Sequence, residues 1–117
     1  MSYRSAMAAF LKVEFSAETA EQADDLLNAL LARKLVTGGQ VYNAPARFLW
    51  KGAINDLDYF VAWSFTVEAN KSAIADVVKS ITIEEVPMIW FTPIDGNPEL
   101  LDWIAQTVES AVATKSS

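Results

Sequence analysis

Residues 58–67 read Asp-Tyr-Phe-Val-Ala-Trp-Ser-Phe-Thr-Val. Side chains along a strand alternate between its two faces. Tyr59, Val61, Trp63 and Phe65 therefore share one face, and Phe60, Ala62 and Ser64 the other. Both faces carry apolar bulk. An antiparallel sheet with helices on one side only should alternate apolar with polar, and this stretch does not. Residues 88–92 repeat the pattern, with Met88 and Trp90 opposite Ile89 and Phe91. Two helices can cover one face. The second face needs either the C-terminal helix or a partner subunit, and the expectation is an oligomer.

Upstream, residues 7–15 read as a strand, with Leu11, Val13 and Phe15 on one face and Lys12 and Glu14 opposite with Phe10. Thr19 and Gln22 fit a capping box. The helix that follows sets Ala23, Leu26, Leu27, Leu30 and Leu31 on one stripe, and Arg33 and Lys34 suit its C-terminal dipole. Leu35, Val36 and Val41 suggest a second strand, and Gly38-Gly39 a bulge or a close backbone approach. Asn43-Ala44-Pro45 reads as a turn. A third strand begins at Phe48-Leu49-Trp50-Lys51, with a bend allowed by Gly52 and Asn55-Asp56, and returns through 58–67.

Downstream, Asn70 is placed to cap a helix with the stripe Ile74, Val77, Val78, Ile81. Pro87 ends the connection to the strand at 88–92. Gly96-Asn97-Pro98 starts a last helix, with Asn97 as N-cap and Pro98 at the first position. That helix carries Leu100, Leu101, Ile104, Ala105, Val108, Ala111 and Val112 on one side. The order β-α-β-β-α-β plus a C-terminal helix predicts an α+β, ferredoxin-like domain, an antiparallel sheet with helices on one face. One domain is expected over 1–117, with a core at about 7–112 and a polar tail at 114–117.

Composition narrows the chemistry. The 117 residues include no histidine and no cysteine. Histidine is the usual general base and metal ligand, and cysteine supplies thiolate for soft metals. No Ser-His-Asp arrangement can form, so an enzyme is not expected. Nine basic against fifteen acidic residues give a net charge of −6 with no basic cluster, which argues against nucleic-acid binding. No apolar run reaches the roughly 20 residues of a membrane span, nor does the N-terminal stretch read as a signal peptide. A cytoplasmic setting is the expectation.

Several motifs carry a family resemblance. Ala32-Arg33-Lys34-Leu35-Val36, Trp50-Lys51-Gly52-Ala53-Ile54, Thr66, Glu85-Val86-Pro87-Met88-Ile89 and Leu101-Asp102-Trp103-Ile104 occur in order over about 11–110. In these places the chain resembles the CutA family of divalent-cation-tolerance proteins. The resemblance implies a homotrimer of ferredoxin-like subunits with sheets inward, related to PII-type regulators. It also implies copper or another divalent cation as the associated ion. Where the family usually has a cysteine this chain has Gly38. The family's His-Pro-Tyr-Glu-Val-Pro becomes Thr82-Ile83-Glu84-Glu85-Val86-Pro87. Tyr59 and Phe65 stand where a glutamate and a lysine are usual.

The candidate sites follow. Trp50, Tyr59 and Glu85 are the set expected at a ligand cleft between subunits, since aromatics with a few polar groups can line a pocket. Asp56, Asp58, Glu84 and Glu85 are the weaker candidates for a hard cation through oxygen. Met1, Met7 and Met88 are scattered; Met88 reads as core packing, and Met1 and Met7 as ordinary starts. Gly38-Gly39 lacks the lysine and the following helix of a phosphate loop. The expected function is a homotrimeric cytoplasmic binding or regulatory protein of the divalent-cation-tolerance type, without a catalytic residue, a resident cofactor or the usual Cys/His metal site. The other readings are a small-molecule-binding PII-like signalling protein and a divalent-cation binder through carboxylates. The sequence names no further protein partner.

Overall fold

A computed structural model describes residues 10–110. Its strands are β1 (Phe10–Ala17), β2 (Gly39–Trp50), β3 (Ala53–Val67) and β4 (Ile89–Ile94). Its helices are α1 (Ala20–Ala32), α2 (Lys71–Ile81) and α3 (Pro98–Thr107), with a 3-10 turn at Glu68–Asn70 before α2. The sheet order is β2-β3-β1-β4, and every pair is antiparallel. This is the expected α+β, ferredoxin-like arrangement. Residues 7–9 of the expected first strand, and Ala111 and Val112 of the expected last helix, lie outside the described residues.

The core forms where α1 and α2 lie on one face of the sheet. Val13, Phe15 and Ala17 of β1 and Ala62 of β3 meet Ala23, Leu26 and Leu30 of α1 and Ile74 and Val78 of α2, all fully or nearly fully buried. The register sets Val13 beside Ser64 and Phe91, and Phe15 beside Ala62 and Ile89. Thr19 caps α1 by accepting from the Gln22 N–H at 3.1 Å. The reciprocal half of the box is absent: Gln22 Oε1 accepts instead from the Ile83 N–H at 3.0 Å. Leu31, expected on the buried stripe, lies at its exposed border.

Leu35 and Val36 are buried, yet they precede β2 rather than belong to it. The reason is the end of α1. Lys34 turns left-handed (φ 57°), and the Leu35 N–H donates back to Leu30 O and the Lys34 N–H to Leu31 O, the paired bonds of a Schellman stop. The Leu35 carbonyl is then taken by Thr66 Oγ1 at 2.7 Å and Asn70 Nδ2 at 3.2 Å. Asn70 therefore does not cap α2 with its side chain. It is fully buried and also donates to Glu109 O at 2.8 Å, tying the end of α1, the end of β3 and the segment after α3 together.

The expected turn at Asn43-Ala44-Pro45 is instead the middle of β2. β2 is an edge strand. Proline is tolerated there, where its missing N–H would face outward. The reversal comes later, at Lys51-Gly52, where φ is 51° and 82°. Two positive φ values in a two-residue loop are the mark of a type I′ hairpin turn. Asn55 and Asp56 sit within β3 rather than at a bend.

Gly39 is a close backbone approach, as one of the two readings of Gly38-Gly39 holds: a Cβ there would lie 1.9 Å from Trp63 O. Asn97 precedes α3 with Pro98 in its first turn, but its side chain makes no cap bond and donates to Glu99 Oε1 instead. Ala105 is exposed, unlike Ile104. Trp90 (41%) and Tyr42 (45%) remain exposed on the sheet face opposite α1 and α2, so α3 does not close that face.

Two substitutions test this account. Asn70→Ala removes the buried amide that bonds Leu35 O and Glu109 O and should cost about 1–3 kcal/mol in urea unfolding. Gly39→Ala forces β2 away from β3 and should cost about 1–3 kcal/mol or more, seen as a lowered melting temperature.

Candidate functional site

The site follows from unequal strand lengths. β3 has 15 residues and β1 has 8. The β1 ladder ends at Ala17 opposite Phe60. Beyond that point residues 53–59 pair only with β2, out to Trp50 opposite Ala53. The hairpin therefore projects as an arm, and the molecule is elongated, 47 × 28 × 23 Å. Side-chain alternation carries Phe48, Trp50, Leu57 and Tyr59 onto one face of the arm, continuous with the face of Tyr42, Trp63 and Trp90.

The connection 82–88 folds against this arm. Gln22 holds it at the Ile83 N–H, and the Glu84 N–H donates to Thr82 Oγ1 at 3.1 Å. Between arm and connection lies a cleft of about 550 Å³. Phe48, Trp50, Leu57 and Tyr59 line it from the arm, and Ile83, Glu84, Glu85, Val86 and Met88 from the connection. Glu18, at the exit of β1, reaches the same space.

Tyr59 is the pivot of the cleft. Its ring packs edge-on against Phe48 with centroids 5.5 Å apart, and the residue is only 5% exposed. Its hydroxyl donates to Glu84 Oε1 at 2.5 Å. Burial, then the hydrogen bond and the negative charge of Glu84, push the phenol well above its usual 10.0. Glu85 faces a different partner. Lys51 Nζ is 3.3 Å from Glu85 Oε1 and 5.4 Å from the centre of the Trp50 ring.

Trp50, Tyr59 and Glu85, singled out in the sequence, thus line one cleft. The oxygen-ligand candidates do not converge. Asp56 accepts from Arg47 Nε at 2.7 Å and Asp58 from Asn43 Nδ2 at 2.8 Å, beside a separate shallow concavity with Pro45 and Ala46. Glu84 is engaged by Tyr59 and Glu85 by Lys51. Among the described residues no group of three or more Asp, Glu, His or Cys is placed to hold a metal ion. A divalent cation takes several oxygens at once, and within this chain these four carboxylates are divided between two concavities. Met88 lines the cleft rather than the core; Met1 and Met7 lie outside the described residues.

Glu18, Phe48, Leu57 and Lys51 were not picked out in the sequence as site residues. The Lys51-Gly52 pair held the available signal, because a lysine at a positive-φ turn position puts its side chain beside the strand end it follows. Glu18 carried none, since only the fold brings it to the 82–88 connection.

Residues 11–107 match the family described as CutA1 divalent ion tolerance protein. A divalent-cation tolerance protein CutA of Archaeoglobus fulgidus is 30% identical over 98 residues, covering 83% of this chain and 96% of that protein. The solved structure of a CutA from A. fulgidus, described as periplasmic, superposes with a TM-score of 0.82 at 29% identity, over 86% of this chain and 99% of that one. CutA1 of Pyrococcus horikoshii shares the fold, with a TM-score of 0.79 at 20% identity over 85% and 98% of the two chains. Among the described residues no helix is long and apolar enough to cross a membrane.

The phenol of Tyr59 gives a pH test. Its pKa is raised on folding, so above pH 10.0 the unfolded chain releases this proton while the folded one keeps it. Stability is then lost as pH rises from that point toward the folded value. Glu84→Gln brings the folded value down and should flatten the loss, as read by denaturant unfolding on either side of that pH.

Proposed function

The chain belongs to the CutA1 divalent ion tolerance family, and from that premise we propose that it works as a homotrimeric, cytoplasmic binding or regulatory protein. Its mechanism is recognition at the cleft between the hairpin arm and the 82–88 connection, without bond-breaking chemistry. The observation that carries the assembly is the second sheet face. Trp63 and Phe65 pack edge to face there, 5.1 Å apart, and Trp90 and Tyr42 stay 41% and 45% exposed. A contiguous aromatic surface of this kind is stabilised by burial against another copy. Lys12 and Glu14 lie on the same face, with Lys12 5.3 Å from the Trp63 ring, so the interface would carry a polar centre within an aromatic field.

The link to divalent-cation tolerance comes from the family and from the A. fulgidus relative. In this chain we assign it to regulation rather than to metal capture, because the candidate carboxylates are split between two concavities and form no group of three or more among the described residues. A PII-like small-molecule sensor is the second reading, favoured by the apolar cleft lined by Trp50 and Tyr59. A cytoplasmic site suits a chain without cysteine, and fractionation of cells expressing it tests the point.

Native mass spectrometry at micromolar protein should give three times the chain mass, and a clean monomer would overturn the assembly. Trp90→Glu should shift that mass toward the monomer by placing a charge in the aromatic interface. Calorimetry with copper, zinc and manganese should give no saturable heat; a stoichiometric transition would overturn the assignment to regulation.

A further inference from the structure

Across the sheet face that α1 and α2 leave uncovered, the register lines up Gln40, Trp63, Glu14 and Trp90 in one row. The next row is Phe65, Lys12 and Thr92. Among the strand residues of this face Lys12 is the one cation and Glu14 the one anion. Glu14 therefore stands between two indoles, with its side chain only 17% exposed. The Trp63 indole N–H does not serve it, because that group donates to Gln40 Oε1 at 3.1 Å. Lys12 Nζ lies 3.9 Å from Glu14 Oε2, beyond hydrogen-bond distance, and 5.3 Å from the centre of the Trp63 ring.

With water on one side, so loose a pair contributes little. Covering the face changes its character. A carboxylate taken out of water needs a cation or donors in close contact, and the chain's own Lys12 is too far away to supply them. Whatever covers the face must bring a cation to Glu14 and an anion to Lys12. An apolar surface brings neither. Another copy of this chain brings both, at the same spacing. Charge also favours that occupant: the whole chain carries −6, so two copies repel in most orientations, whereas the strands of this face are balanced at one charge of each sign.

We propose that Lys12 of each copy pairs with Glu14 of the partner subunit, and that this crossed pair selects a second copy of the same chain as the occupant of the face. The inference rests on the reading of this face as the contact between copies, and the Glu14 site is complete only when the partner supplies its cation.

The test follows native mass against concentration for the full chain. Like charges set across an interface suppress a wrong partner, so Lys12→Glu and Glu14→Lys should each raise the concentration at which the assembly dissociates by about tenfold or more. Mixing the two variants, one of them isotope-labelled, should recover assemblies that contain both, because each then meets the opposite charge on its neighbour. The double substitution Lys12→Glu with Glu14→Lys keeps one charge of each sign on the face and should assemble on its own, which separates loss of pairing from loss of folding. Single variants that assemble as tightly as the unaltered chain would overturn the crossed pair and leave the contact between copies standing. A mixture that stays dissociated, or a double variant that does not assemble, would also overturn the pair. If the unaltered chain is itself a monomer, the reading of the face falls, and the pair with it.

Discussion

The structure depends on a mismatch of lengths. β3 runs on for seven residues, 53–59, after β1 has stopped pairing with it, so one neighbour must support what two support elsewhere. Hydrogen bonding to β2 satisfies one edge of this part of β3 and covers neither of its faces. One face is met by the 82–88 connection, anchored to α1 through Gln22 and to Tyr59 through Glu84. The cleft is the space left where a seven-residue connection covers a broader aromatic surface. Its shape is thus a property of the fold, present before any ligand or partner arrives.

The opposite end of the sheet is closed in another way. The helix-facing side of β3 becomes polar at Ser64 and Thr66, both fully buried. Each is answered by the segment that leaves α1. Ser64 Oγ accepts from the Gly38 N–H at 2.8 Å, and Thr66 donates to Leu35 O. Asn70 adds bonds to Leu35 O and Glu109 O. Buried polar groups that are all satisfied define one geometry sharply, because each alternative leaves a donor or acceptor unpaired. The sheet is therefore fixed at this end and projects freely at the other.

Most of the fold was legible because it rests on local periodicity. The stripe Ala23, Leu26, Leu27, Leu30 follows from burial of one helix face, with Leu31 falling at its exposed border, and the run 58–67, apolar on both faces, lies within β3. The errors fall where a residue's role is set by distant neighbours. Pro45 looked like a turn because its own backbone disfavours strands, and only the strand order makes it acceptable at an edge. Asn70 looked like a cap because it precedes a helix, whereas its partners lie 35 and 39 residues away in sequence. Trp50, Tyr59 and Glu85 were singled out in the sequence for a cleft between subunits, and the arm brings them to one cleft within a single chain. Glu18 and Lys51 needed the tertiary structure.

The two sheet edges carry one proline each, Pro45 in β2 and Pro93 in β4. An unpaired strand edge is a template on which another chain can add a strand, and repeated addition makes fibres. Each proline deletes a donor from its edge, so an added strand finds a ladder interrupted partway along. This chain has large apolar residues exposed at the arm, Leu49 at 77% and Ile54 at 72%, and such a surface next to a continuous edge would be an invitation to open-ended growth. Interrupted edges allow short, register-specific pairing while discouraging long ladders. Open-ended strand addition along either of these edges is thereby cut short.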